Sequence, residues 1–207
     1  MTSLNISEDE LFSRNTPGSR KVLREKKAAV AGLGGLGSNI AVMLARAGVG
    51  RLLLVDHDTV EISNLNRQHY DITHLGMPKT DALRMQIERI DPFVAIETKN
   101  VKVTEDNAER IFGDHDVICE AFDDPRDKAM LADVLLPLGK TVVAASGISG
   151  MGSANEIRTE RMFSELYVCG DKGADEDDGL MSPRVTVCAG HQANIVLRIL
   201  LNMERER

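Results

Sequence analysis

Residues 32–37 read Gly32-Leu33-Gly34-Gly35-Leu36-Gly37, preceded by the apolar run Ala28-Ala29-Val30-Ala31 and followed by a helical pattern over residues 36–47. A G-x-G-x-x-G in that position admits few folds. The first glycine makes a tight turn, the second lets backbone approach a phosphate, and the third lets the helix pack closely on the strand. The N-terminus of the helix then offers N–H groups and partial positive charge to an anion. Gly48-Val49-Gly50 stops the helix, and Arg51-Leu52-Leu53-Leu54-Val55-Asp56 reads as a strand buried on both faces. A helical connection between two such strands makes them parallel, with a right-handed crossover. Asp56 lies 22 residues beyond Gly34, where an acid accepts hydrogen bonds from ribose hydroxyls. The pattern indicates an adenine nucleotide and leaves NAD, FAD and ATP open.

The alternation continues along the chain. The spacing predicts helices over 78–90, 104–112 and 125–138, and strands over 94–101, 115–121 and 140–146. Such alternation specifies an α/β fold, Rossmann-like and doubly wound, with a mostly parallel sheet covered on both faces. Beyond Gly147 the pattern changes to turns, a strand over 155–160, an acidic stretch over 170–182 expected as a mobile surface loop, a last strand over 184–188 and a helix over 191–203. The additional C-terminal strands are expected to be antiparallel. Residues 1–26 form a polar leader with helical character, and residues 27–207 form one domain, long enough to bury roughly 70% of its unfolded surface without a metal or disulfide staple.

Composition removes several classes of function. Lys and Arg number 25 against 32 Asp and Glu, a formal charge of −7, which argues against a sequence-independent nucleic-acid binder. Five Phe, two Tyr and no Trp offer little for stacking bases. Cys119, Cys169 and Cys188 occur in three separate contexts and fit a reducing, cytoplasmic setting better than a disulfide framework. Neither a signal peptide nor a membrane span is legible: the longest uncharged run, residues 28–45, contains four Gly.

The segment from Asp56 to Gln68 carries three amides and Arg67, and Lys79 follows in the first turn of a predicted helix. A dinucleotide site needs no such cluster, whereas a triphosphate about to lose pyrophosphate needs cations for the charge developing on the leaving oxygens. A Lys in a helix's first turn is disfavoured by roughly 0.3–1 kcal/mol, so a nearby anion would explain Lys79. In Glu120-Ala121-Phe122-Asp123-Asp124-Pro125, Asp124 is placed to cap a helix. Asp123 leaves a strand's carboxyl end, where open α/β sheets bind ligands and a carboxylate can hold Mg²⁺.

These residues resemble a known family. G-L-G-G-L-G-S from Gly32, then L-V-D-H-D-T-V-E-I-S-N-L-N-R-Q, then G-M-P-K, then E-A-F-D-D, are similar to the ThiF/MoeB/HesA proteins, bacterial relatives of ubiquitin-activating enzymes, over nearly the whole chain from Lys27. The pattern is most similar to the short ThiF type, which the resemblance links to thiamin biosynthesis and the sulfur carrier ThiS. It implies ATP-dependent adenylation of the C-terminal Gly-Gly carboxylate of a small ubiquitin-like carrier, with release of pyrophosphate. Carried over to this chain, Gly34, Gly35 and Gly37 line the nucleotide, Asp56 binds ribose, and Asn64, Arg67, Gln68 and Lys79 surround the triphosphate. Asp123 positions Mg²⁺. The resemblance also implies a homodimer in which Arg14 reaches the phosphates of a partner subunit, although the leader departs from the family's usual pattern after Arg14.

Other departures sharpen the expectation. Longer family members bind structural zinc through two Cys-x-x-Cys pairs, which this chain lacks, so no zinc is expected. Cys119 and Cys188 fall in apolar strand-like patterns and are expected as inert core residues. Cys169 precedes the acidic stretch and is a candidate thiol for a covalent linkage to the carrier, as in some family members, although neighbouring acids weaken a thiolate. His191 is expected to pack or cap. The competing reading is an NAD(P)- or FAD-dependent oxidoreductase; against it, neither Tyr70 nor Tyr167 has Lys four residues later.

Overall fold

Alternate residues of β1 (Lys27–Ala31) and β2 (Arg51–Asp56) enter two different hydrophobic clusters. Ala28, Val30, Leu52 and Leu54 face one layer, while Ala29, Ala31, Leu53 and Val55 face the other. A strand apolar at every position must be covered on both sides, which is why these runs show no polar alternation. The computed structural model describes residues 6–173 and 178–204.

Seven strands form one sheet in the order β3 (Ala95–Asn100), β2, β1, β4 (Val117–Glu120), β5 (Thr141–Ala145), β7 (Leu166–Gly170), β6 (Arg158–Phe163). All neighbours pair parallel except β6 and β7. The expected antiparallel character at the C-terminal edge therefore belongs to β6, while β7 joins the parallel set. Short helices α1 (Glu8–Leu11) and α2 (Ser19–Leu23) precede β1, with Phe12 and Leu23 buried. Of the longer helices, α3 (Gly35–Ala47) packs on α4 (Lys79–Ile90) and on α7 (Ser182–Leu200), and α5 (Glu105–Phe112) packs on α6 (Pro125–Leu135). The order 3-2-1-4-5 reverses direction at β1, so the crevice lies between the carboxyl ends of β1 and β4, at the topological switch point.

Several C-terminal boundaries differ from the sequence expectation. Residues 184–188 are not a strand, and 191–203 is not a separate helix: 184–188 and 191–200 belong to the 19-residue α7, and 201–203 form a turn beyond it. Val185, Cys188, Ala189, Gln192, Val196 and Leu200 recur at three-to-four spacing and are buried, so burial of one helical face overrides the β-branched local composition. The strand expected over 155–160 lies at Arg158–Phe163, and Leu166–Gly170 adds a strand the pattern did not separate. The expected helix over 125–138 ends as α6 at Leu135 and continues as one 3₁₀ turn. Of the expected acidic loop, Gly170 belongs to β7, Asp171 pairs with Arg184, and Leu180 bridges to Gly150. Residues 174–177 of that stretch lie outside the described residues.

Candidate active site

The glycine turn is shaped by backbone contact. A Cβ at Gly37 would stand 1.8 Å from the Gly32 carbonyl oxygen, and one at Gly32 would stand 2.7 Å from that of Ala121. Only hydrogen fits in either place, so α3 starts hard against β1, and β1 hard against the end of β4. Asp56, buried at the end of β2, accepts the Leu33 N–H at 2.6 Å through Oδ2 and the Asp58 N–H at 2.8 Å through Oδ1. The Tyr70 hydroxyl donates to the Leu33 carbonyl at 2.9 Å. Burial, with Asp56 and Asp58 nearby, holds the Tyr70 phenol well above its ordinary pKa, keeping it a donor. The Leu33 peptide is thus gripped at both ends.

The turn opens into a cavity of about 560 Å³. Gly34, Gly35, Asp56, Arg67, Gln68, Lys79 and Asp123 all line it, although they come from segments up to 89 residues apart. Lys79, first residue of α4, is 6% exposed, and its Nζ donates to Asp58 Oδ2 at 2.8 Å. The anion expected beside this lysine is therefore present in the protein itself. Burial pushes the Asp58 carboxyl up, but the Lys79 hydrogen bond and charge outweigh it and hold its pKa below the ordinary value. Gln68 is buried with no protein partner at Oε1. Arg67 donates to the Ser63 carbonyl at 3.1 Å and to Asn66 Oδ1 at 2.9 Å.

The opposite wall comes from β4 and α6. Asp123 is exposed, its Oδ1 accepting the Asp124 N–H at 2.9 Å, and Asp124 caps α6 by accepting the Arg126 N–H. Glu120, fully buried beneath this wall, accepts the Phe122 N–H at 2.7 Å and faces Lys128 Nζ at 3.2 Å. Burial raises its carboxyl pKa, and Lys128 only partly offsets that. Lys128, Phe122 and Lys102 line the cavity together with Ile148 and Ser149 beyond β5. Sequence reasoning singled out none of these, nor Asp58. Pairing 21 residues apart, as between Asp58 and Lys79, carries no local periodicity.

Other candidates lie elsewhere. Gly37 and Asn64 are not among the lining residues; Gly37 acts through the close approach at the turn, and Asn64 Oδ1 accepts the Glu61 N–H in a capping box. Arg14 is exposed in the turn after α1 and does not line its own chain's cavity. Cys169 does not sit on a loop: it lies in β7 with no exposed surface, and burial pushes its thiol up to about 11, a Thr159 hydrogen bond offsetting little. Cys119 and Cys188 are buried too, Cys188 on α7. His191 Nδ1 lies 3.0 Å from Thr159 Oγ1. Among the described residues, one group of three potential metal ligands converges, Asp56 with His57 and Asp58, within 4.8 Å; both Asp56 oxygens already accept backbone N–H groups. No described helix is long and apolar enough to cross a membrane.

Comparison with known proteins places the chain in a family. The ThiF family model matches residues 7–207. A protein named adenylyltransferase and sulfurtransferase UBA4 from Eremothecium gossypii is 33% identical over 190 residues, covering 87% of this chain and 43% of its own. Its counterpart from Saccharomyces cerevisiae is 39% identical over 131 residues, 63% of this chain and 30% of its own. The chain thus spans less than half the length of these curated relatives. Among solved structures, the tRNA N6-threonylcarbamoyladenosine dehydratase TcdA of E. coli, in complex with ATP, superposes with a TM-score of 0.86 at 19% identity, covering 99% of this chain and 100% of that one. E. coli MccB with ATP gives 0.72 at 17% identity, over 88% of this chain and 57% of that one. These two likenesses establish the fold, and the family match establishes kinship: the chain belongs to the ThiF family, whose members include enzymes related to ubiquitin-activating proteins.

Proposed function

We propose that the chain is an adenylyltransferase that uses ATP to activate the C-terminal carboxylate of a small ubiquitin-like carrier ending in Gly-Gly, releasing pyrophosphate. A single observation carries this reading: a helix N-terminus, Arg67, Lys79 and Asp123 converge on one cavity at the topological switch point. A triphosphate losing pyrophosphate develops charge on the leaving oxygens that two cations can take up, a demand hydride transfer does not make. The relatives' printed names, adenylyltransferase among them, and the ATP complexes of TcdA and MccB support it.

In this reading the glycine turn and the first turn of α3 receive the phosphates, and Asp56, already fixing Leu33, accepts a ribose hydroxyl. The carrier carboxylate attacks the α-phosphorus while Arg67 and Lys79 take up the charge growing on the departing pyrophosphate. Alignment and charge stabilisation do the work, and no protein nucleophile is required. Asp123, an exposed carboxylate on the cavity wall, fits the hard-oxygen donor set of Mg²⁺, which would neutralise triphosphate charge there.

The carrier is assigned as ThiS-like, with a place in thiamin biosynthesis; the relatives' printed name, adenylyltransferase and sulfurtransferase, keeps a different sulfur carrier as the competing partner. A homodimer is assigned as well. The exposure of Arg14, away from its own cavity, fits a residue that serves a partner's site. Mass spectrometry of carriers incubated with protein, ATP and Mg²⁺ tests the assignment. An acyl-adenylate on a ThiS-like carrier, and none on its tail-truncated form, is expected. No adduct on any Gly-Gly carrier, with tight NAD(P) or FAD binding instead, would favour the oxidoreductase.

A further inference from the structure

Three side chains outside the cavity tie the glycine turn to the segment that presents Arg67. Asn39, on α3, donates through Nδ2 to the Gly35 carbonyl at 2.6 Å and to the Arg67 carbonyl at 3.1 Å. Ser38 Oγ donates to the Gly34 carbonyl at 2.7 Å and accepts the His69 N–H at 2.9 Å. The Tyr70 hydroxyl closes the set on the Leu33 carbonyl. Neither Asn39, Ser38 nor Tyr70 lines the cavity, so none is placed to touch a nucleotide. The stem of Arg67 lies against the same turn, its Cγ 3.5 Å from where a Gly35 Cβ would stand.

The Asn39 contact has a particular form. An α-helix already supplies one donor to the Gly35 carbonyl, the backbone N–H four residues on, which is that of Asn39 itself. The second donor, from the same residue's side chain, is surplus at the Gly35 carbonyl, whereas at the Arg67 carbonyl it is the hydrogen bond that holds the loop. What it adds is a bridge of two hydrogen bonds between the first turn of α3 and the backbone of Arg67. Two groups expected on the same triphosphate, the α3 N-terminus and the Arg67 guanidinium, thereby share one rigid connection. A long, flexible arginine held at backbone and stem loses less freedom when it meets an anion, which favours binding.

We infer that Asn39 is a positioning residue that sets Arg67 relative to the glycine turn, so that the pair grips the β- and γ-phosphates of a nucleoside triphosphate. The inference deepens the ATP reading and rests on it. It makes a prediction that a purely structural role would not: removal of the Asn39 amide weakens ATP and spares AMP, which lacks the phosphates Arg67 would meet.

The test is a double-mutant cycle on ATP and AMP dissociation constants, measured calorimetrically on the full chain, with thermal unfolding of each variant. Asn39→Leu keeps the branching at Cγ and removes the donor, and its higher helix propensity keeps α3 from being weakened by the change. Expected are about tenfold weaker ATP binding, AMP binding changed less than about twofold, and no further loss when Asn39→Leu is added to Arg67→Ala. Asn39→Gln, which keeps the amide, recovers part of the affinity. Equal weakening of ATP and AMP, or losses that simply multiply in the double variant, would overturn the positioning role. Should Asn39→Leu fail to fold, Asn39→Ser, short of reach to Arg67, takes its place under the same criteria. Wild-type protein that binds neither nucleotide would overturn the ATP reading itself, whereas ATP binding without adenylation would leave Asn39 testable and remove only the proposed chemistry.

Discussion

The two ends of the sheet are built by different rules. Around β1, β2 and β4, backbone meets backbone with room for hydrogen alone, and the apolar strand positions are all but inaccessible. Beyond β5, the edge strand β6 is largely exposed, Met162 and Phe163 face solvent, and a second cavity lies between residues 149–152 and Arg184, whose guanidinium donates to the Gly152 and Ser153 carbonyls. The first region leaves no space for a side chain at Gly32 or Gly37. The second closes the far side of the same cavity through Ile148, Ser149 and Leu180. Under the proposed function, the nucleotide meets the rigid half and the activated partner meets the open one.

The sharpest way to break this contrast is Gly37→Ala. A methyl 1.8 Å from the Gly32 oxygen forces α3 off β1, so a loss on the order of 4 kcal/mol or more is expected in urea unfolding, together with loss of ATP binding. Near-native stability in that variant would show that the turn yields. Next come the cavity side chains. Arg67→Ala is expected to slow adenylation by about 10²–10³-fold, equivalent to roughly 2.7–4 kcal/mol of charge stabilisation, with the fold intact by circular dichroism. Asp123→Ala should abolish metal-dependent turnover, and normal rates there would remove Asp123 from the site.

A smaller effect concerns His115, buried just before β4 with Nδ1 unpartnered. Burial lowers its pKa, and Lys27 adds to this; Lys99 acts the same way, while Glu97 and Asp114 oppose. The folded chain therefore holds His115 neutral where the unfolded chain takes up a proton. Its contribution to stability is present above the ordinary histidine pKa of about 6.5 and is lost as pH falls through the lowered folded value. Urea midpoints followed from pH 7 to pH 5 should fall less steeply for His115→Gln than for the wild type; parallel slopes would remove His115 from the account. The smallest effect belongs to the open edge: Phe163→Ser, at 69% exposure, should change stability by less than about 0.5 kcal/mol. Cys169 joins the two regions in one prediction, since a fully buried thiol with a raised pKa should resist alkylation at pH 8 until the protein unfolds.

The same contrast explains what could be read from the sequence. Strands buried on both faces write themselves as unbroken apolar runs, and the glycines of the turn are dictated by steric contact, so β1, β2, β4, β5 and the switch point were legible for that reason; β3, at the sheet edge with no buried residue, is legible only as a strand-like segment between two helices. The C-terminal third obeys longer-range demands. Arg184-Val185-Thr186-Val187-Cys188 has the local composition of a strand, and only its packing against α3 makes it helix. Leu166–Gly170 is a strand because β5 and β6 flank it, and Cys169 is buried for that reason. In the site, Arg67, Lys79 and Asp123 stood out by charge in unexpected places. Asp58, Glu120 and Lys128 did not, because an acid or a lysine in a loop or a helix becomes informative only once its partner is known. Asn39 was equally silent, being one polar residue in a helix until the Arg67 carbonyl is seen beside it.

The central claim is that this cavity activates a carboxylate with ATP, and ATP–pyrophosphate exchange tests it most directly. The measurement uses purified protein with Mg²⁺ and a ThiS-like carrier, with the same carrier lacking its Gly-Gly tail as the control. Exchange that requires the intact tail is the predicted result. Absence of exchange with every Gly-Gly carrier tried, or exchange indifferent to the tail, would contradict it.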